Sequence, residues 1–138
     1  MVTNGLERMF YISRATRDLS REELDELLRD ARACNEERDI TGMLLYDAGH
    51  FAQVVEGPPA SIHSLFESIQ RDPRHADIQT VTRGPVDERD FVGWSMGYAN
   101  LEEHKEPDLD AIKKLMRTQD VGDPMAAYRF LLAFQRTS

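Results

Sequence analysis

A chain of 138 residues, 41% hydrophobic and 30% charged, has the length and composition of one folded domain. No stretch approaches the roughly 20 apolar residues of a membrane span, residues 1–8 lack the basic start and apolar run of a secretory signal, and a formal charge of -8 opposes direct binding to nucleic-acid phosphates. Cys34 has no partner for a disulfide, so a cytoplasmic protein is expected.

Residues 9–13 read as a strand, with Met9, Tyr11 and Ser13 on one face and Phe10 and Ile12 on the other. Ser20 with Glu23 forms a capping-box pattern, and Leu24, Leu27, Leu28 and Ala31 recur at helical spacing, which predicts a helix over 21–36. Strands follow over 40–46 and 50–56, joined by the turn residues Asp47-Ala48-Gly49. Gly57-Pro58-Pro59 breaks the second of these strands, and Ile62, Leu65, Phe66 and Ile69 mark a helix ending before Pro73. Two further strands are expected over 78–82 and 94–98. Two short helices then carry Leu109, Ile112, Leu115 and Met116, and Met125, Tyr128, Leu131 and Leu132.

This order predicts an α+β fold, a ferredoxin-like βαββαββ sheet with two helices on one face, followed by two short C-terminal helices. Residues 1–101 form the expected domain and 102–138 a helical extension. Phe10 and Ile12 need a cover on the other face, which the extension or a partner subunit could supply.

Several side chains have the chemistry of a site, and each also has an ordinary explanation. Tyr11, taken alone, reads as a packed core phenol. Gln53 shares a strand face with Phe51 and Val55, so if that face is buried its amide needs a partner, whereas on a solvated face it needs none. Asn35 ends the apolar stripe of the first helix, where it either faces a ligand or simply terminates the helix. Trp94 and Met96 alternate on the last expected strand in the manner of core residues. Arg71-Asp72-Pro73-Arg74-His75 either grips a phosphate or is a solvated basic helix end. No phosphate loop, paired zinc cysteines or nucleophile elbow is present in the sequence, and no acid-base set is assembled, so no enzyme is expected.

Together these residues resemble the BLUF family, blue-light sensors that use a flavin. The resemblance runs over about residues 6–101 and rests on motifs in order: Tyr11 with Ser13-Arg14; Asn35; Ile40-Thr41-Gly42-Met43-Leu44-Leu45-Tyr46; Phe51-Ala52-Gln53-Val54-Val55-Glu56-Gly57; Asp72-Pro73-Arg74-His75; and Phe91-Val92-Gly93-Trp94-Ser95-Met96. It implies a non-covalently bound FAD, with FMN or riboflavin also accepted, inserted between the two helices. Tyr11 and Gln53 would be the photoactive pair. Light would draw an electron and a proton from Tyr11, and recombination would leave the Gln53 hydrogen bonds rearranged and the flavin absorbing slightly to the red.

Further positions follow from the same resemblance. Asn35 would bind the polar edge of the ring, Leu27, Ala31 and Ile69 would line its faces, and Asp72, Arg74 and His75 would lie near the ribityl or phosphate side. Trp94 and Met96 would adjoin Gln53 and relay the signal along the last strand. Cys34 and Ala31 depart from the family pattern, standing where some members carry a stacking His and a ring-contacting Ser. Cys34 also lacks the motif of adduct-forming flavin domains.

Only residues 102–138 follow the expected domain, so a stand-alone switch is expected, coupled through its C-terminal helices to an unidentified downstream signalling protein or to another copy in a homodimer or higher homo-oligomer. A flavin-dependent reductase on a ferredoxin-like scaffold and a flavin-free interaction module are the alternatives. Steady turnover with a reduced nicotinamide would mark the first, and a colourless protein that takes up no flavin the second.

Overall fold

The computed structural model describes residues 5–93, 95–101 and 110–118. In chain order its elements are β1 (Leu6–Ala15), α1 (Arg21–Arg38), β2 (Thr41–Asp47), β3 (His50–Gly57), α2 (Pro59–Arg71), β4 (His75–Val86), β5 (Gly97–Asn100) and α3 (Asp110–Thr118). The sheet order is β4-β1-β3-β2-β5. The first four strands pair antiparallel and β5 lies parallel to β2, which gives the expected ferredoxin-like arrangement with one strand added.

Local chemistry explains the boundaries. The Ser20 hydroxyl accepts from the Glu23 amide while the Glu23 carboxylate accepts from the Ser20 amide, so α1 starts at its capping box. It ends where Asp39 turns left-handed at φ 59° and sends its amide back to the Asn35 carbonyl. The β2–β3 hairpin turns on Ala48 and Gly49, both at positive φ, as a two-residue hairpin of right-handed twist requires. Gly42 permits the close approach of β2 to β3, because a Cβ there would lie 2.1 Å from the Val54 carbonyl oxygen.

Three strands differ from expectation, the first being β1, which runs Leu6–Ala15 rather than over 9–13. β4 is longer than 78–82, because its register against β1 shifts at Phe10/Tyr11 and again at Ile12/Arg14, with Asp77 at φ 51°. Such bulges interrupt the two-residue alternation by which a strand is read. The last strand begins at Gly97 rather than residue 94, so Met96 precedes β5; Trp94 lies outside the described residues.

The sheet separates two cores. On one face Met9, Tyr11, Leu44, Phe51 and Val55 pack beneath Leu24, Leu27 and Leu28 of α1 and Ile62, Leu65 and Ile69 of α2. On the other, Phe10, Ile12, Met43, Ala52 and Val54 are covered by Phe91, Leu101 and the α3 residues Ile112, Leu115 and Met116. The first C-terminal helix thus covers the face that needed it. Leu109 and the second expected helix lie outside the described residues.

Candidate functional site

Alternation along β1 and β3 turns Tyr11 and Gln53 toward the helix-covered face, and the antiparallel register makes them direct cross-strand partners. Both are buried, Tyr11 fully and Gln53 at 6% exposure. The uncertainty over the Gln53 face is resolved: the amide sits in the core. Its Nε2 donates to the Met96 sulfur at 3.6 Å, a weak acceptor for an amide. The Tyr11 hydroxyl finds no partner among the described residues. Burial pushes the phenol well above its ordinary pKa and the Asp72 charge adds to this, so it holds its proton at any neutral pH.

Above this pair, α1 and α2 border a cleft of about 200 Å³. Leu27, Ala31 and Cys34 line it from α1, Leu65 and Ile69 from α2, and Asn35 and Gln53 supply amides. Asp72, Arg74 and His75 close one end. Cys34 is exposed on the cleft wall. Asn35 is fully buried; its Nδ2 donates to the Ser95 carbonyl at 2.6 Å, while its Oδ1 has no partner among the described residues. One turn earlier, Arg32 Nε donates to the Met96 carbonyl at 2.9 Å. Helix α1 therefore grips the segment that carries Met96 to Gln53.

The basic end is internally neutralised. Arg74 donates to both Asp72 oxygens at 2.8–3.1 Å and its Nη1 lies 3.6 Å from Asp30. Burial opposes ionisation of Asp72, but its bonds from Arg74 and the Arg74 charge hold it below the usual range. His75 pairs through Nδ1 with the Ser13 hydroxyl at 3.0 Å and packs on Phe51 with ring centroids 4.8 Å apart. Burial lowers its pKa, with Asp72 opposing and Arg74 adding to the shift, so the ring is neutral near pH 7.

Sequence reasoning missed Arg32 and Arg38, which extend the Asn35 face of α1 by one turn in each direction, a spacing that identifies them once Asn35 is known to point inward. It also missed the role of Glu56. This fully buried carboxylate accepts from Arg8, Thr41 and the amides of Asp90 and Phe91, and so anchors the loop leading toward Met96.

Size alone does not select the cleft. A hollow of about 700 Å³ is bordered by Asp18, Arg21, Asp25 and Tyr98, yet none of the buried polar atoms left without a partner lines it. The smaller cleft has two of them, on Asn35 and Arg38, and a third belongs to Tyr11, cross-strand partner of its Gln53. Buried polar groups ordinarily have partners, so this grouping fits a ligand whose polar edge meets the sheet between two apolar helix walls. The set suits a flavin ring, which has apolar faces and a hydrogen-bonding edge. Among the described residues no His, Cys, Asp and Glu cluster could hold a metal, and no helix is long and apolar enough to cross a membrane.

Comparison with known proteins places the fold in a family. The family model described as BLUF, sensors of blue-light using FAD, matches residues 6–97. The photoactivated adenylate cyclase subunit beta of Euglena longa is 41% identical over 98 residues, covering 70% of this chain and 11% of the relative. The chain thus spans about a tenth of the length of that curated relative. Among solved structures, the dark state of the BLUF protein BlrB is 31% identical with a TM-score of 0.78, over 94% of this chain and 97% of that one. Klebsiella pneumoniae BlrP1 with FMN and cyclic diGMP is 35% identical with a TM-score of 0.71, over 94% of this chain and 34% of that one. With more than half its length matched by the family model and a solved family member similar in fold over 94% of the chain, the chain belongs to the BLUF family of flavin-using blue-light sensors.

Proposed function

We propose that this chain is a light-driven switch rather than a catalyst, with Tyr11 and Gln53 as its photoactive pair. The observation that carries the reading is their cross-strand pairing under the cleft where, among the described residues, the phenol has no partner and the amide donates to a thioether. A bound flavin supplies blue absorption and an excited state able to accept an electron. Tyr11 Oη, protonated and shielded from water, is the residue able to release an electron together with a proton. Gln53 carries a donor and an acceptor end, so rotation or tautomerisation exchanges what it presents to its neighbours. Its weak bond to Met96 costs little to give up.

Asn35 orients the ring edge, Leu27, Ala31, Cys34 and Ile69 shield its faces, and Asp72, Arg74 and His75 border the chain that leaves the ring. The apolar walls and convergent amides of the cleft suit a grip on the ring system that FAD, FMN and riboflavin share. FMN in the BlrP1 structure supports this tolerance.

A change at Gln53 is felt at Met96, whose backbone is tied to α1 and leads directly into β5. Ala99 and Leu101 beyond it pack in the same core as α3. Output then passes from the sensor, residues 1–101, through the extension, 102–138, to a second copy or a cytoplasmic signalling protein.

The test is an absorption spectrum of the purified protein in darkness and after a blue flash, repeated for Gln53→Leu and Tyr11→Phe. A flavin band that shifts slightly red and relaxes in darkness, with the shift lost in both variants, is expected. A protein that takes up no flavin, or a bound flavin that never shifts, refutes the reading.

A further inference from the structure

Arg38 closes α1 on the cleft side, one turn beyond Asn35, and lines the cleft. A basic residue in the last helical turn ordinarily meets the free carbonyls there or a nearby carboxylate. Arg38 meets neither. Among the described residues its Nη1 is buried without a partner and no ion pair engages the guanidinium. Leaving such a donor unmade is unfavourable, so the position is organised for an acceptor that the protein itself does not provide.

A second orphan atom, three residues earlier on α1 and lining the same cleft, narrows that acceptor. Asn35 has committed its Nδ2 to the Ser95 carbonyl, so its Oδ1 can only accept, whereas Arg38 can only donate. A ligand satisfying both presents an N–H beside a C=O, the pattern of an imide edge. The pyrimidine ring of a flavin has that edge, with its N–H between two carbonyls. A phosphate does not fit here: it has no N–H to offer. The other basic group of the cleft, Arg74, is paired with Asp30, eight residues and so about 12 Å back along α1.

Given that the cleft holds a flavin, we infer that Arg38 is a further flavin-contacting residue, donating from its guanidinium to a carbonyl of the ring's imide edge. The contact places a fixed positive charge at the edge that becomes electron-rich on reduction. Arg38 thereby raises both the affinity for the ring and its midpoint potential. Lysine cannot fully replace it, because an ammonium keeps the charge without the planar fork.

The experiment uses the full chain stripped of flavin, as wild type, Arg38→Met and Arg38→Lys, titrated with riboflavin, FMN and FAD, followed by reductive titration of the loaded proteins. Arg38→Met is expected to weaken binding of all three flavins by about tenfold or more, ~1.4 kcal/mol by the affinity relation. Its midpoint potential falls, and Arg38→Lys restores the potential more than the affinity. The flavin-free Arg38→Met protein melts no lower than wild type, since it has lost only an unpaired donor, which separates ligand contact from a structural role. Wild-type affinity and potential in Arg38→Met overturn the inference. So does a loss confined to FMN and FAD, which assigns Arg38 to a phosphate. A wild-type protein that binds no riboflavin instead removes the underlying reading of the cleft.

Discussion

Replacing Glu56 by Gln tests how the loop before β5 is held. The two carboxylate oxygens receive five donors: Oε1 from Phe91 N at 2.6 Å and Thr41 Oγ1 at 3.0 Å, Oε2 from Arg8 Nε at 3.2 Å, Arg8 Nη2 at 2.9 Å and Asp90 N at 3.0 Å. A glutamine has the same shape but only one acceptor, so either orientation turns an NH₂ toward backbone or guanidinium N–H groups that cannot accept. The substitution also leaves Arg8 with the half-exposed Asp90 in place of a fully buried partner. Breaking a buried ion pair from one side costs about 3–5 kcal/mol. At about 2.1 cal/mol/K per residue, a chain of 138 residues has an unfolding entropy near 0.3 kcal/mol/K, and Tm falls by about 10–17 °C. Calorimetric melts of flavin-free wild type and Glu56→Gln measure this. A fall of under about 3 °C would show that water, not Glu56, satisfies these donors, and would refute the loop anchor.

Other perturbations probe the site and sheet separately. Tyr11→Phe removes a buried hydroxyl that lacks a partner among the described residues, so the flavin-free variant should gain about 1–3 kcal/mol, some 3–10 °C, while losing the light response; a lower melting point would reveal a hidden partner. Because burial depresses the His75 pKa, the unfolded chain binds that proton more readily than the folded one. Its contribution is therefore complete above about pH 6.5 and is lost as pH falls through the lower folded value. Melts from pH 8 to pH 5 should show a decline that flattens in His75→Gln, and equal slopes in both proteins would refute this. Gly42→Ala drives a Cβ to 2.1 Å from the Val54 oxygen and should cost at least about 1–3 kcal/mol, whereas Gly84→Ala meets nothing within 4 Å and should melt within about 2 °C of wild type. Similar melting points for the two would show that β2 and β3 separate without cost.

The division between what was legible in the chain and what was not follows the range of the forces involved. Short-range signals sufficed for α1, where Ser20 and Glu23 cap a leucine stripe, for the Ala48-Gly49 hairpin, and for the break at Pro58-Pro59, because each is decided by neighbours a few residues apart. Strand periodicity likewise assigned Gln53 to the face of Phe51 and Val55, and the unpartnered face of Phe10 and Ile12 announced a cover that α3 supplies. Where periodicity was broken, the reading shortened or displaced the element: the bulges of β4 hid its length, and Met96 was assigned to a strand that begins one residue later. Whether the Gln53 face was dry, and whether the Asn35 amide met a ligand or merely ended a helix, depended on residues some 40–60 positions away, Met96 and Ser95. Glu56 and Arg38 were two charged residues among many in sequence. Only tertiary packing made them different, by surrounding one carboxylate with donors from three chain segments and leaving one guanidinium nitrogen buried with no acceptor among the described residues, because the cost of a buried polar group depends on what the fold brings beside it.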